Sequence, residues 1–171
     1  EKLLPLRWCG INKSTWERIG KKYSWDYVIE SVGYKYHMND VTAALGLTQL
    51  SRLKKMNKRR REIKDMYSSG LSKLGWLETP IEEPWAKSSW HLYVIRCNKR
   101  LELMDWLASH GISTTGHYKP LYYYPIFSNK HDTPITEREW KKIVVLPMYP
   151  DLKDSQVEYI IDTIKKFSRN I

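Results

Sequence analysis

Two stretches of the chain concentrate side chains that can do chemistry. GYKYHMND, residues 33–40, sets Lys35 between Tyr34 and Tyr36, with His37 following. TTGHYKPLYYYP, residues 114–125, sets His117, Tyr118 and Lys119 ahead of Tyr122, Tyr123 and Tyr124. Each puts a cation or an imidazole among phenols, in a segment that reads as loop. Phenols beside an ammonium suit a phosphorylated or hydroxylated ligand, because the cation attracts the anion while the hydroxyls donate and accept. The same tyrosines also read as packing at a core or an interface. Other chemistries lack a signal. His37, His91, His110, His117 and His131 never form HxxxH or HExxH, which argues against a zinc hydrolase. Cys9 and Cys97 stand alone, without metal-ligand spacing, and fit a reducing cytoplasm better than a disulfide framework. There is no GxSxG, GxGxxG or Walker loop.

Bulk composition bounds what can position these residues. The chain has 171 residues, 42% of them apolar, which is enough for a core. No apolar run approaches the ~18 residues of a membrane span, and no signal peptide is visible. The net charge is +10, with eight Trp and twelve Tyr, a composition that raises nucleic acid as a partner. The charge gathers in SRLKKMNKRRREIK, residues 51–64, where eight basic residues face Glu62 alone. Without a zinc-finger spacing or another nucleic-acid motif, that run reads as the solvated face of a helix.

The pattern of elements is α+β. Residues 1–32 show no sustained period; Trp8, Trp16, Tyr23, Trp25 and Tyr27 are scattered among charges, as in a segment that packs on something else. From Asn39 or Asp40, either of which can cap a helix, Val41, Ala44, Leu45, Thr48, Leu53, Met56, Ile63, Tyr67, Leu71 and Leu74 recur at helical spacing up to Gly75. The small residues Ala43, Ala44 and Gly46 at its start would allow another backbone to approach. WLETP (76–80) is short, and HLYVIRC (91–97) reads as a central strand. LELMDWLASHGI (101–112) reads as a helix with Leu103, Trp106 and Leu107 inward. STTGHYKP (113–120) is extended, and IVVLPMYP (143–150) is a short apolar run. DSQVEYIIDTIKKF (154–167) is an amphipathic helix capped by Asp154, with Val157, Ile160, Ile161 and Ile164 on one face.

Several stretches resemble the C-terminal half of the DegT/StrS-type sugar aminotransferases, which depend on pyridoxal phosphate. They are VGYKYHMNDVTAALGLTQLSRL with the following NKRRREI, SSWHLYVIR (88–96), LMDWLASHGISTTGHYKPLYYYPIF (103–127) and VVLPMYPDLKDSQVEYIIDTI (144–164). LRWCGINKSTWER with YSWDY, inside residues 6–27, resembles the stretch between that family's cofactor lysine and its long helix. The resemblance covers nearly the whole chain in order.

The resemblance implies a type I aminotransferase fold. Residues 1–38 would be the tail of the large cofactor-binding domain, 39–75 a long linking helix, and 76–171 a small C-terminal α+β domain with a mainly antiparallel sheet packed by helices. It implies a cytoplasmic homodimer that moves an amino group from glutamate or glutamine to a keto sugar, commonly nucleotide-linked, for polysaccharides or modified sugars. Lys35 stands where the family often has an asparagine that reaches the neighbouring subunit's cofactor phosphate, so Lys35, Gly33 and Tyr34 are the expected cofactor residues. His117 and Tyr118 match the segment lining the substrate side. The family usually has a histidine near Tyr122 to Tyr124, where this chain has only tyrosines. His37 falls where many members have arginine and joins His117 and Tyr118 as an expected substrate-binding residue, and His91 reads as structural. The Schiff-base lysine of the family lies in a context that no lysine here shares; Lys13 and Lys21 precede charged loop sequence. The expectation is a fragment, inactive alone, without a catalytic residue of its own and without a metal. The alternatives are a non-catalytic partner or scaffold from the same family, and a basic nucleic-acid-binding module.

Overall fold

A computed structural model describes residues 2–11, 27–127 and 132–167 of the chain. Trp16, Tyr23, Trp25, Lys13, Lys21 and His131 lie outside the described residues. The chain divides into two units, residues 1–51 and 52–171, with the boundary inside the long helix.

In the first unit a short helix, α1 (Leu3–Arg7), leads into a backbone corner. Trp8 pairs with Lys35, and Ile11 with Ile29, each as an isolated antiparallel bridge. The N–H groups of Cys9, Tyr34 and Tyr36 donate to Tyr34 O, Leu6 O and Arg7 O at 3.0, 2.6 and 2.8 Å. The long helix α2 (Asp40–Leu71) then starts. Asn39 is its cap: its Oδ1 accepts the Thr42 N–H at 2.9 Å, which satisfies one of the free donors of the first turn.

α2 runs 32 residues and spans about 48 Å at ~1.5 Å per residue. It ends at Leu71, ahead of the expected Gly75. Ser68, Ser69 and Gly70 are weak helix formers at the end. The chain then tightens into turns, with Leu74 N–H on Leu71 O and Leu77 N–H on Leu74 O, and so enters the sheet. The expected apolar stripe is only half buried. Ile63, Tyr67 and Leu71 are buried, whereas Val41, Leu45 and Leu53 are exposed among the described residues.

The second unit builds a complete core. Its sheet is three-stranded and antiparallel, in the order β1 (Leu77–Glu78), β2 (Tyr93–Cys97), β3 (Ile143–Leu146). The register sets Leu77 opposite Cys97, and Tyr93, Ile95 and Arg96 opposite Leu146, Val144 and Ile143. Alternation along β2 sends Tyr93, Ile95 and Cys97 into the core and leaves Arg96 outside, where it pairs with Glu78. Helices α3 (Arg100–Ser109), α4 (Pro134–Trp140) and α5 (Asp154–Phe167) complete the unit. α5 buries Val157, Ile160, Ile161, Ile164 and Phe167 on one face. α3 buries Leu103 and Leu107; Trp106 is half-buried and donates its indole N–H to Thr163 O at 3.0 Å. The fold is therefore the expected α+β arrangement.

Residues 113–120 run without regular secondary structure apart from the bridge of Thr115 to Val145. Two expectations need correction. Asp154 does not cap α5 with its side chain. Its Oδ1 accepts Arg59 at 2.6 Å, and Gln156 Oε1 accepts the Lys153 N–H at 2.9 Å instead. His91 is exposed, and the packing expected of it falls to buried Trp90.

The basic run divides: three of its eight cations anchor α2 to the rest of the unit, and four stay on the solvated face. Arg59 donates to Leu152 O and Asp154, and Arg61 to Ser88 O at 2.6 Å, while Arg61 also lies 3.6 Å from Glu82. Lys64 Nζ stands 5.3 Å above the Trp90 ring. Arg52, Lys54, Lys55 and Lys58 remain exposed. No helix among the described residues is long and apolar enough to cross a membrane.

Candidate functional site

The first candidate cluster lies wholly in the unit of residues 1–51. Backbone pairing to Leu6, Arg7 and Cys9 holds residues 34–36 extended, so Tyr34 and Tyr36 project to one side and Lys35 to the other. The two tyrosine rings stack 5.0 Å apart with planes 7° from parallel, and both remain exposed. His37 rests edge-on against Trp8, centroids 4.1 Å apart. The Trp8 indole N–H is buried without an acceptor among the described residues. Gly33 has a local reason to be glycine: a Cβ there would lie 2.1 Å from Gly10 N and 2.7 Å from Cys9 C. Gly10, at φ +74°, would meet Ser31 O at 1.8 Å in the same way. Two glycine backbones therefore pass each other closely, and that contact fixes the corner.

Lys35 projects from this fixed corner. It is exposed, and among the described residues its ammonium has no hydrogen-bond or ion-pair partner. An exposed ammonium on a backbone fixed by these contacts fits a phosphate dianion.

The second cluster lies in the unit of residues 52–171. His117 Nδ1 is 2.7 Å from Thr115 Oγ1, and its ring meets that of Tyr118 edge-on at 4.5 Å. Thr115 is itself tied to Val145 of β3 through two backbone bonds. His117 is half-buried and Tyr118 exposed, so both have a free side toward a ligand. Lys119 Nζ stands 5.6 and 5.2 Å from the rings of Tyr123 and Tyr124. Tyr123 donates to Glu137, whose oxygens lie at 2.7 and 2.6 Å; that bond pushes the phenol up to about 12.

Other ionisable groups serve packing. Burial raises the Tyr67 and Tyr93 phenols above their usual range and pushes the Cys97 thiol up to about 11, so this cysteine is inert at neutral pH. Two grooves of about 750 and 570 Å³ exist in this unit, and neither is lined by His117 or Tyr118. No group of three or more His, Cys, Asp or Glu among the described residues could hold a metal ion.

The expected residues thus fall into two groups: Gly33, Tyr34, Lys35 and His37 in one, His117 and Tyr118 in the other. The contacts of Thr115, Tyr123 and Glu137 were not expected from sequence. Thr115 and His117 are two apart in an extended segment, a spacing that puts them on one side and signals their contact. Nothing local signals the pairing of Tyr123 with Glu137.

Known proteins place these features in context. The chain is 33% identical over 177 residues to the protein MJ1066 of Methanocaldococcus jannaschii, covering 97% of this chain and 46% of that protein. It is 33% identical to the spore coat polysaccharide biosynthesis protein SpsC of Bacillus subtilis, covering 96% of this chain and 46% of that one. Among solved structures, Spr1654 of Streptococcus pneumoniae in its PMP form superimposes with a TM-score of 0.82 at 31% identity, over 99% of this chain and 44% of the other. The chain thus spans less than half the length of these relatives. The profile of the DegT/DnrJ/EryC1/StrS aminotransferases matches residues 1–165, and this chain belongs to that family.

Proposed function

We propose that the chain is the C-terminal part of a cytoplasmic, pyridoxal-phosphate-dependent sugar aminotransferase, working as a homodimer on a keto sugar, commonly nucleotide-linked, with glutamate or glutamine as amino donor. The observation that carries this reading is the exposed ammonium of Lys35, without a hydrogen-bond or ion-pair partner among the described residues, on a corner locked by Gly33 and Gly10. Family membership and a relative named for polysaccharide biosynthesis support it.

Pyridoxal phosphate, when bound, supplies the electron sink for amino transfer. Lys35 holds its phosphate from across the dimer interface, as a full charge in place of the amide that other members use. Tyr34 and Tyr36 brace Lys35 from the opposite side of the strand. His117 and Tyr118 face the sugar: the imidazole, fixed through Nδ1, presents its other nitrogen to a hydroxyl or phosphate. His37, held against Trp8, stands beside the phosphate corner. The exposed first half of α2, with Val41 and Leu45, packs on the large domain that precedes it in this family.

The lysine that anchors the cofactor covalently belongs to another segment, so these 171 residues do not transaminate alone. Borohydride reduction after incubation with pyridoxal phosphate, followed by peptide mapping, tests this. The expected outcome is no stoichiometrically labelled lysine, and a single fully labelled one would overturn it. Lys35→Ala in the complete dimer tests the phosphate role through cofactor retention on dialysis.

A further inference from the structure

Residues 113–127 carry His117 and Tyr118, yet among them lie only an isolated bridge and two short 3-10 turns, Leu121–Tyr123 and Pro125–Phe127. Such a segment has too few backbone bonds of its own to hold an imidazole still, so side chains must fix it. At the near end, Gly116 lies against the Arg100 guanidinium; a Cβ there would come within 2.2 Å of its nitrogen and 3.4 Å of the Trp140 ring. Arg100 donates to Trp140 O at 2.8 Å and stacks 4.3 Å from that ring. At the far end, Tyr123 donates to Glu137. Glu137 and Trp140 are three residues apart on α4, hence on one helix face. One short helix therefore holds the segment at both ends.

We propose that Tyr123 and Glu137 are positioning residues that lock the His117–Phe127 segment onto α4, so that His117 and Tyr118 are presented in one orientation. Neither touches a reacting atom; they act through the loop they tie down. The substrate role of His117 rests on the function proposed above, whereas the locking itself does not. The Tyr123 phenol is protonated at neutral pH, as tyrosines ordinarily are, and donates a hydrogen bond to the Glu137 carboxylate, so the lock is closed at working pH. Lys119, over the Tyr123 and Tyr124 rings, and Lys141, 3.9 Å from Glu137, balance the carboxylate charge.

Hydrogen exchange on the full chain tests the lock. The N–H groups of Tyr123, Tyr124 and Phe127 are bonded to Pro120 O, Leu121 O and Tyr124 O, so their protection can be read. In Tyr123→Phe and in Glu137→Leu these amides exchange about tenfold faster, the loss expected for a hydrogen bond to a charged acceptor. Glu137→Gln keeps an acceptor oxygen and restores protection to within about threefold of the parent. The amides of β2 stay unchanged in all variants, which shows that the fold is intact. The His117 ring proton resonance shifts in Tyr123→Phe and not in Ile126→Ala, an exposed change in the same segment. Unchanged exchange and an unmoved His117 resonance in Tyr123→Phe would overturn the proposal. If Lys35→Ala keeps its cofactor while Tyr123→Phe loosens the segment, the functional reading fails and the lock stands.

Discussion

The two units of this chain are built on opposite principles. In residues 52–171, α5, α3, the sheet and the second half of α2 enclose a core whose members include Ile63, Tyr67, Tyr93, Leu107 and Ile164, all fully buried. In residues 1–51, the corner around Lys35 is held by backbone bonds and a glycine–glycine contact, and its aromatic and apolar side chains stay in view: Tyr36 is 74% exposed, and so is Val41. A surface that leaves tyrosines, valines and leucines uncovered is unlike an ordinary solvated face. The difference teaches that one unit is stabilised by its own contents and the other is shaped to be completed by something else.

The largest effect should come from attacking the self-contained unit. Tyr67→Ala removes a fully buried ring that packs 4.9 Å from Tyr93 and donates to Pro147 O at 3.0 Å. The expected loss is about 3–5 kcal/mol in urea denaturation followed by β2 signals. A loss below ~1 kcal/mol would break the claim that this unit stands on its core.

Next in size is Gly33→Ala. A methyl group 2.1 Å from Gly10 N forces two backbones apart. It should cost about 3 kcal/mol locally. The change should appear as fast exchange of the Cys9, Tyr34 and Tyr36 amides, while β2 exchange is unaffected. If the corner amides keep their protection, backbone contact is not what shapes this unit.

Lys35→Ala sharpens the contrast from the other side. With no hydrogen-bond or ion-pair partner among the described residues, the side chain should contribute little to folding, so the melting temperature should not move. In the full-length dimer proposed above, cofactor affinity should fall by about 1.5–3 kcal/mol, the worth of one charge-assisted contact. A drop in melting temperature with full cofactor retention would reverse the assignment.

The smallest effect is a pH effect. Glu82 lies below the usual carboxylate range, first because the Ser88 N–H donates to it and then through Trp90, Arg61 and Lys64. The ionised form is therefore favoured in the folded chain. Its contribution is present above the ordinary glutamate value of ~4.3 and fades as pH falls through the lowered folded value. Glu82→Gln should lower stability slightly at neutral pH and flatten the acid limb below about pH 4.3, so that the two profiles converge in acid. An unaltered acid limb would show that the Arg61–Glu82–Ser88 clamp does not hold residues 82–90 to α2.

Much of this architecture was legible in the chain. The helical spacing from Asn39, the alternation in HLYVIRC and the apolar face of residues 154–167 all became the elements they announced, because each pattern is local and each buries one side. The end of α2 was misread because Leu74 continues the spacing, while the sheet needs the chain to turn before Leu77. Asp154 has a good capping side chain, but Arg59, nearly a hundred residues away, competes for it. The motif around Lys35 was visible as an odd cluster of cation and phenols; that Gly33 serves the backbone of Gly10 was not.

Sequence by itself determined the residues capable of binding an anion, the periods of the helices and the strand that sits at the sheet centre, since these depend on side-chain type and short-range geometry. Tertiary structure alone decided which half of the long apolar stripe is covered, which basic residues become anchors, and that Tyr123 meets Glu137. Those outcomes depend on where distant segments come to lie, and a contact between residues far apart in the chain leaves no periodic trace along it.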